Sequence, residues 1–188
     1  SNASRGLGDV YKRQVIRMSG DHSKQIAEAM CGSLAESWKF KKCKIRSSEG
    51  QVLDSGMVVF FESPNSYTVE DVVEFHCHGN PAIVNLILED AVNRGARVAE
   101  PGEFTKTAFL NDKIDLAQAE SVADLINAQS KSAIIAAGSS LSGEFSSKVD
   151  LIVEGLIKTR VVVEAHIDFP EEDIDPLLLE KISKDLLV

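Results

Sequence analysis

The chain changes its hydrophobic period once, close to residue 103. Before that point, short apolar or alternating runs are separated by turn residues; after it, apolar positions recur almost everywhere at helical spacing. "QVIRMSG" (14–20) reads as a short strand closing in a Ser-Gly turn. "DHSKQIAEAMCG" follows as a helix, with Asp21 at a cap position and Ile26, Ala27 and Met30 apolar. "KFKKCKIRSSEGQVLDSGMVVFFESP" predicts two strands around a polar turn at "SSEGQ", and Met57 to Phe61 are apolar enough for the middle of a sheet. From Glu70 to His78 the pattern alternates. Pro81 then opens "PAIVNLILEDAVNRG", whose spacing is helical and whose Gly95 stands where a helix stops. "ARVAEPGEF" predicts one more short strand and a turn.

Beyond it, Leu116, Ala119, Val122, Ala123 and Ile126 share one face of a helix from Asp115 to about Asn127. Helical spacing then continues from Ser130 to His166, with "GSSLSG" (138–143) placed to bend or interrupt it. "DFPEEDIDP" is a breaker, and "LLLEKISKDLLV" starts a helix that runs to the last residue. The expected organisation is a fragment of a longer protein, with an α+β domain over residues 15–116 and the first part of a helical domain over 117–188. Residues 1–3, "SNA", read as the remnant of a cleaved expression tag, and residues 4–14 as an atypical segment.

Composition adds limits. The 188 residues are 44% hydrophobic and 26% charged, without a run long enough to span a bilayer, so a soluble protein is expected. A net charge of −9 opposes a surface that holds a phosphate backbone unaided. Cys31, Cys43 and Cys77 form no C-x-x-C pair and no even-numbered disulfide framework, which fits a reducing compartment, the cytoplasm or an organelle matrix, with a cytoplasmic protein the expectation.

The residues with chemistry to offer cluster in "PNSYTVEDVVEFHCHGNP" (64–81) and in "LNDKID" (110–115). On a strand, Val72, Glu74, His76 and His78 share one face and Val73, Phe75 and Cys77 the other. Two histidines two apart can share a metal, but a catalytic site needs a third ligand that nothing here marks, so no metal site is expected. Cys77 reads as a small buried hydrophobe. Glu74 is costly to bury unless it faces water, pairs with a neighbour or is held for a ligand with matched donors. Arg17 in "VIRMS" and Lys113 in "LNDKID" add two cations near element ends. The set suits a heterocycle with an amidine-like donor edge and an anionic tail. Asn111 and Lys113 sit either in a plain helix-turn-helix connection or at the mouth of a pocket between the domains. No G-x-x-x-x-G-K-[ST] occurs, and no nucleophile has a recognisable setting, so no catalytic residue is assigned.

"VIRMSG", "SPNSYTVEDVVEFHCHGNP", "PGEFTKTAFLNDKIDLAQAESVADLI" and "VEAHIDFPEEDID", in this order, resemble the MnmE (TrmE) family of tRNA-modifying GTPases over residues 15–175. The resemblance implies a tetrahydrofolate-binding and dimerisation domain, with a mixed β-sheet and packed helices similar to the folate domain of aminomethyltransferases, followed by an all-α segment. It implies folate contacts at Arg17, Glu74 and Lys113, with Tyr67 and Asn111 as supporting pocket positions. The cofactor expected is 5-formyl- or 5,10-methylene-tetrahydrofolate. GTP, magnesium and potassium belong to a G domain absent from these residues, so the chain alone is expected not to hydrolyse GTP. The implied partners are a second copy, the flavoprotein MnmG (GidA) and, through the full complex, tRNA modified at carbon five of its wobble uridine; no membrane is implied. Two departures stand out. "SRGLGDVYKRQ" (4–14) replaces the family's first strand and glycine-rich turn, and Asn80 stands where the family usually has glycine. Two other readings compete: an acidic interaction module whose helical tail docks a partner, and a metallohydrolase using His76 and His78.

Overall fold

A computed structural model describes residues 13–168. The tag remnant, nearly all of the 4–14 segment, the breaker from Phe169 onward and the last helix lie outside the described residues. The chain divides into two units, Ser1–Ile114 and Asp115–Val188.

In the first unit the elements run β1 (Arg13–Ser19), α1 (Ser23–Cys31), β2 (Lys41–Arg46), β3 (Val52–Phe61), β4 (Val72–His78), α2 (Pro81–Asn93) and α3 (Glu103–Leu110). The strands form one sheet in the order β1-β4-β3-β2, antiparallel at every pairing. The α+β class is as expected; mixed pairing does not occur among the four described strands. Alternation along each strand sends Ile16, Cys43, Ile45, Val58, Phe60, Val73, Phe75 and Cys77 to one face. There they pack with Ile26, Ala27 and Met30 of α1 and Ile87 and Ala91 of α2. Phe75, Met30, Ile45 and Ile87 are almost wholly buried. Each such side chain contributes about 1.5–3 kcal/mol relative to exposure, the main favourable term of the unit.

Local chemistry sets the element ends. Asn80 caps α2 by accepting from the Ala82 amide at 2.9 Å, with Pro81 in the first helical turn, where its missing N–H costs nothing. At α1 the cap is His22, without a side-chain bond, rather than Asp21. The helix start is instead tied across the sheet, by Ser23 Oγ donating to the Asp71 carbonyl at 2.8 Å. Buried Asp90 of α2 accepts from the Ser48 amide in the β2–β3 turn and from Arg94 Nε, each at 2.7 Å, so one carboxylate joins helix to hairpin. Burial pushes its acidity down, but Arg94 and the Ser48 N–H outweigh this and hold its pKa below the ordinary carboxylate value.

The stretch at 96–100 is not the strand its alternation predicts. Its polar groups are used locally: the Ala96 amide closes α2 on the Ala91 carbonyl at 3.0 Å, and Glu103 takes the Glu100 amide at 2.8 Å and pairs with Arg97. Away from the core, Trp38 is 63% exposed, has a φ of 66° and donates its amide to the Phe60 carbonyl at 2.8 Å. Its ring meets the edge of Phe61, with centroids 4.6 Å apart.

The second unit comprises α4 (Leu116–Asn127), α5 (Lys131–Leu141) and α6 (Glu144–Asp168). Asp115 and Gln118 form a reciprocal capping box at the start of α4. Gln118 Nε2 also donates to the Leu141 carbonyl at 3.0 Å, fastening α4 to the end of α5. The predicted long helix is interrupted inside "GSSLSG": α5 is capped by Ser142, and Gly143 takes a φ of 86° before α6 begins. On α6, Leu151, Ile152, Leu156 and Ile157 are exposed.

One glycine in β3 is required by space rather than by φ. A Cβ on Gly56 would lie 2.3 Å from the His76 carbonyl oxygen, a backbone atom that cannot move without parting β3 from β4. Gly56→Ala should therefore destabilise the protein by about 1–3 kcal/mol, read as a lower denaturant midpoint at unchanged m-value. A midpoint equal to that of the parent would show that the two strands can part there without cost.

Candidate functional site

The register of β1 against β4 sets Arg17 directly opposite Glu74, on the sheet face turned away from α1 and α2. Arg17 donates to Glu74 Oε1 from Nε at 2.7 Å and from Nη2 at 2.6 Å. The Glu74 side chain is 13% exposed and that of Arg17 is 42% exposed, so the pair stands at the edge of a half-covered site. On the other flank of Glu74 the register places buried Val59. Glu74 Oε2 meets His76 Nε2 at 3.3 Å, and the His76 ring is held edge-on by Phe40 at 5.1 Å between centroids.

One end of this face is roofed by the 62–71 loop and α3. The Arg17 guanidinium lies 5.9 Å from the Tyr67 ring centroid and 5.8 Å from that of Phe104. The Tyr67 hydroxyl and Thr105 Oγ1 are 3.1 Å apart, which joins loop to helix. Thr68 is fully buried; its Oγ1 is 2.5 Å from Ser19 Oγ, and Ser19 Oγ donates to Glu70 Oε2 at 2.7 Å. Asn111 Nδ2 donates to the Thr68 carbonyl at 2.7 Å and so anchors the turn after α3 to the same loop. In that turn Asp112 has a φ of 54°, and the Lys113 amide donates to the Ala108 carbonyl at 2.9 Å.

Arg17, Glu74 and Tyr67 are thus brought together, and Asn111 supports the loop that carries Tyr67. The Lys113 side chain is exposed, and among the described residues no side-chain hydrogen bond or ion pair joins it to Arg17 or Glu74. Sequence reasoning did not single out Phe104 or Phe40, whose contacts depend on how loops fold over the sheet. It did place His76 on the Glu74 face, and alternation was the signal. What results is a carboxylate with one well-bonded and one lightly bonded oxygen, a half-exposed cation and two aromatic rings. Such a donor set suits a flat heterocycle that presents parallel N–H groups.

His78 is engaged elsewhere. Buried Asp54 accepts from the His78 amide at 2.8 Å and from the Ser55 amide at 2.7 Å, and its Oδ1 lies 2.8 Å from His78 Nδ1. Cys77 is buried beneath, its Sγ 3.4 Å from the Gln14 carbonyl, and burial pushes its thiol pKa up. Among the described residues no group of three or more His, Cys, Asp or Glu side chains is arranged to hold a metal ion.

Residues 8–113 match the family described as GTP-binding protein TrmE N-terminus, and residues 116–187 match the MnmE helical domain. Among curated relatives named tRNA modification GTPase MnmE, that of Neisseria gonorrhoeae (strain NCCP11945) is 51% identical over 161 residues, covering 86% of this chain and 36% of its own length. The Nitrosomonas eutropha protein is likewise 51% identical over 161 residues, with the same coverage of both chains. The Coxiella burnetii protein is 48% identical over 172 residues, covering 92% of this chain and 38% of its own. The chain therefore spans little more than a third of the length of these relatives.

The Asp54 tie has a pH signature. Burial pushes the Asp54 carboxyl up, but the His78 and Ser55 amides and the His78 ring outweigh it and hold the pKa below the ordinary carboxylate value. A carboxyl lowered in the folded state gives stability that is full above its unfolded pKa and is lost as pH falls through the folded one. Denaturant titrations below about pH 4 should show stability falling with acid, and less steeply in Asp54→Asn than in the parent. Identical acid limbs would mean that the tie contributes nothing.

Proposed function

The chain belongs to the MnmE (TrmE) family of tRNA modification GTPases, and on that footing we propose that its first unit binds a one-carbon tetrahydrofolate at the Arg17–Glu74 pair. The observation that carries this reading is the Glu74 carboxylate itself: largely buried, fixed by Arg17 through Oε1, and open to a stronger partner at Oε2, where the His76 contact is 3.3 Å. A carboxylate so held accepts two parallel hydrogen bonds, from a ring N–H and an exocyclic amine of a pterin. Arg17 orients Glu74 through Oε1 and offers its remaining N–H groups to the ring carbonyl. Tyr67 and Phe104, already beside the guanidinium, supply apolar walls for the ring faces. Lys113 serves as a second cation from the turn that Asn111 anchors beside Thr68. When bound, 5-formyl- or 5,10-methylene-tetrahydrofolate supplies the one-carbon unit.

In the complete protein, residues 117–188 begin the helical domain into which a G domain with its GTP, magnesium and potassium is set. That protein acts as a homodimer with the flavoprotein MnmG (GidA) to install an aminomethyl-type group at carbon five of the wobble uridine of tRNA. The family resemblance supports the dimer. The apolar stretch Met57–Phe61 adds nothing to it, since Val58, Val59 and Phe60 are already 1%, 1% and 4% exposed in the single chain. A cytoplasmic setting fits a tRNA-modifying role, and among the described residues no helix is long and apolar enough to cross a membrane.

Calorimetric titration with 5-formyltetrahydrofolate tests the site. The parent should bind, and Glu74→Ala should lose on the order of 2–4 kcal/mol, roughly 30- to 700-fold in Kd. Arg17→Ala and Lys113→Ala should weaken binding less. Equal affinity in the parent and Glu74→Ala would remove the pterin from this carboxylate.

A further inference from the structure

Resting on the folate reading above, we propose that the half of the same sheet face left open by the described residues, carrying Lys42, Lys44, His76 and His78, is a subsite for the anionic tail of a γ-polyglutamylated folate. The strand registers place these residues together. Lys42 lies opposite Met57 and Lys44 opposite Ser55; Met57 in turn lies opposite His76, all on the face away from α1 and α2. A shallow cavity of about 200 Å³ opens there, with Lys42, Met57, His76 and His78 in its lining. The chain as a whole carries a charge of −9, yet among the described residues that β2, β3 and β4 turn to this face the one carboxylate is Glu74. The nearby Asp54 is occupied by the His78 and Ser55 amides.

The site also has a direction. From Glu74 one way is closed by the roof of Thr68, Tyr67 and α3, and that end carries Glu70 and Asp71, which repel a carboxylate tail. The other way runs along β4 past His76 to His78. Four residues of strand cover about 13 Å, commensurate with the aminobenzoyl bridge between a pterin and its first glutamate. Further γ-linked glutamates would then lie over β3 and β2, where Lys42 and Lys44 supply charge. Exposed lysines act through a screened field, so the gain should grow with each added carboxylate and fade with salt.

The test is titration of the present chain with mono- and triglutamyl 5-formyltetrahydrofolate at low and high salt. The triglutamate should bind about 10-fold more tightly at low salt, an advantage of about 1.4 kcal/mol by the usual conversion, shrinking several-fold in 0.5 M salt. Lys42→Gln/Lys44→Gln should collapse the tri-to-mono affinity ratio toward one, whereas Glu74→Ala should weaken both ligands together. Equal affinities in the parent, or a ratio the lysine variant leaves intact, would overturn the subsite while leaving the pterin site standing. Failure of both folates to bind would overturn both. Lysine-dependent binding of a short single-stranded RNA, with no gain from the tail, would assign the face to nucleic acid and overturn the proposal.

Discussion

The antiparallel register of β4 between β1 and β3 is the constraint from which the first unit follows. β4 is paired on both edges, so its backbone groups are satisfied and its side chains have two environments to choose between. Its odd members, Val73, Phe75 and Cys77, go to the helix side and anchor the core, while Glu74 and His76 go to the other side. A slip of one residue would put a carboxylate into the core and a phenylalanine into the site, so the core's apolar area and the site's geometry are held by the same hydrogen bonds. Gly56 belongs to this constraint as well, since β3 can keep that register only with no side chain beside the His76 carbonyl.

Much of this was legible from residue spacing. The alternation over 70–78 grouped Glu74 with His76 and opposed both to Phe75. The "SSEGQ" turn marked the β2–β3 hairpin, and Asn80-Pro81 with Gly95 bracketed α2 closely. What spacing could not show were bonds between residues distant in sequence. Ser19 with Thr68, Asn111 with Thr68, and Asp90 with Ser48 each join segments more than forty residues apart. The 96–100 stretch failed for a related reason: its alternation is genuine, but its amides and flanking charges are spent on closing α2 and starting α3. Asp21 does not take the cap position because the Ser23 amide it would bind is already given to the Gly20 carbonyl at 3.0 Å. Arg17 and Glu74, each unremarkable alone in sequence, become informative only when the register sets them opposite one another. Among the described residues Lys113 has no such geometric partner, and the role proposed for it rests on the family motif around it.

The second unit is built on different terms. Its caps are strong and local, while its apolar side chains are poorly covered: α6 exposes Leu151, Ile152, Leu156 and Ile157, whereas Ala137 and Ser121 are the buried residues among its described helices. Helices of this kind gain most of their stability from packing, so capping and propensity here specify where each helix begins more than how firmly it is held. The two units therefore differ in what a mutation can disturb: long-range ties in the first, and helix ends in the second.

Trp38 gives the molecule a built-in optical probe. It is the single tryptophan of the chain, and it sits outside the core with its ring against Phe61, on the side of the sheet that also holds Phe40, His76 and Glu74. Emission from a tryptophan this exposed follows the polarity of what lies over it. Native fluorescence thus reads what lies over one sheet face more than the packing of α1 and α2 on the other. An observer who took the emission maximum as a measure of folding would be watching the wrong side of the sheet.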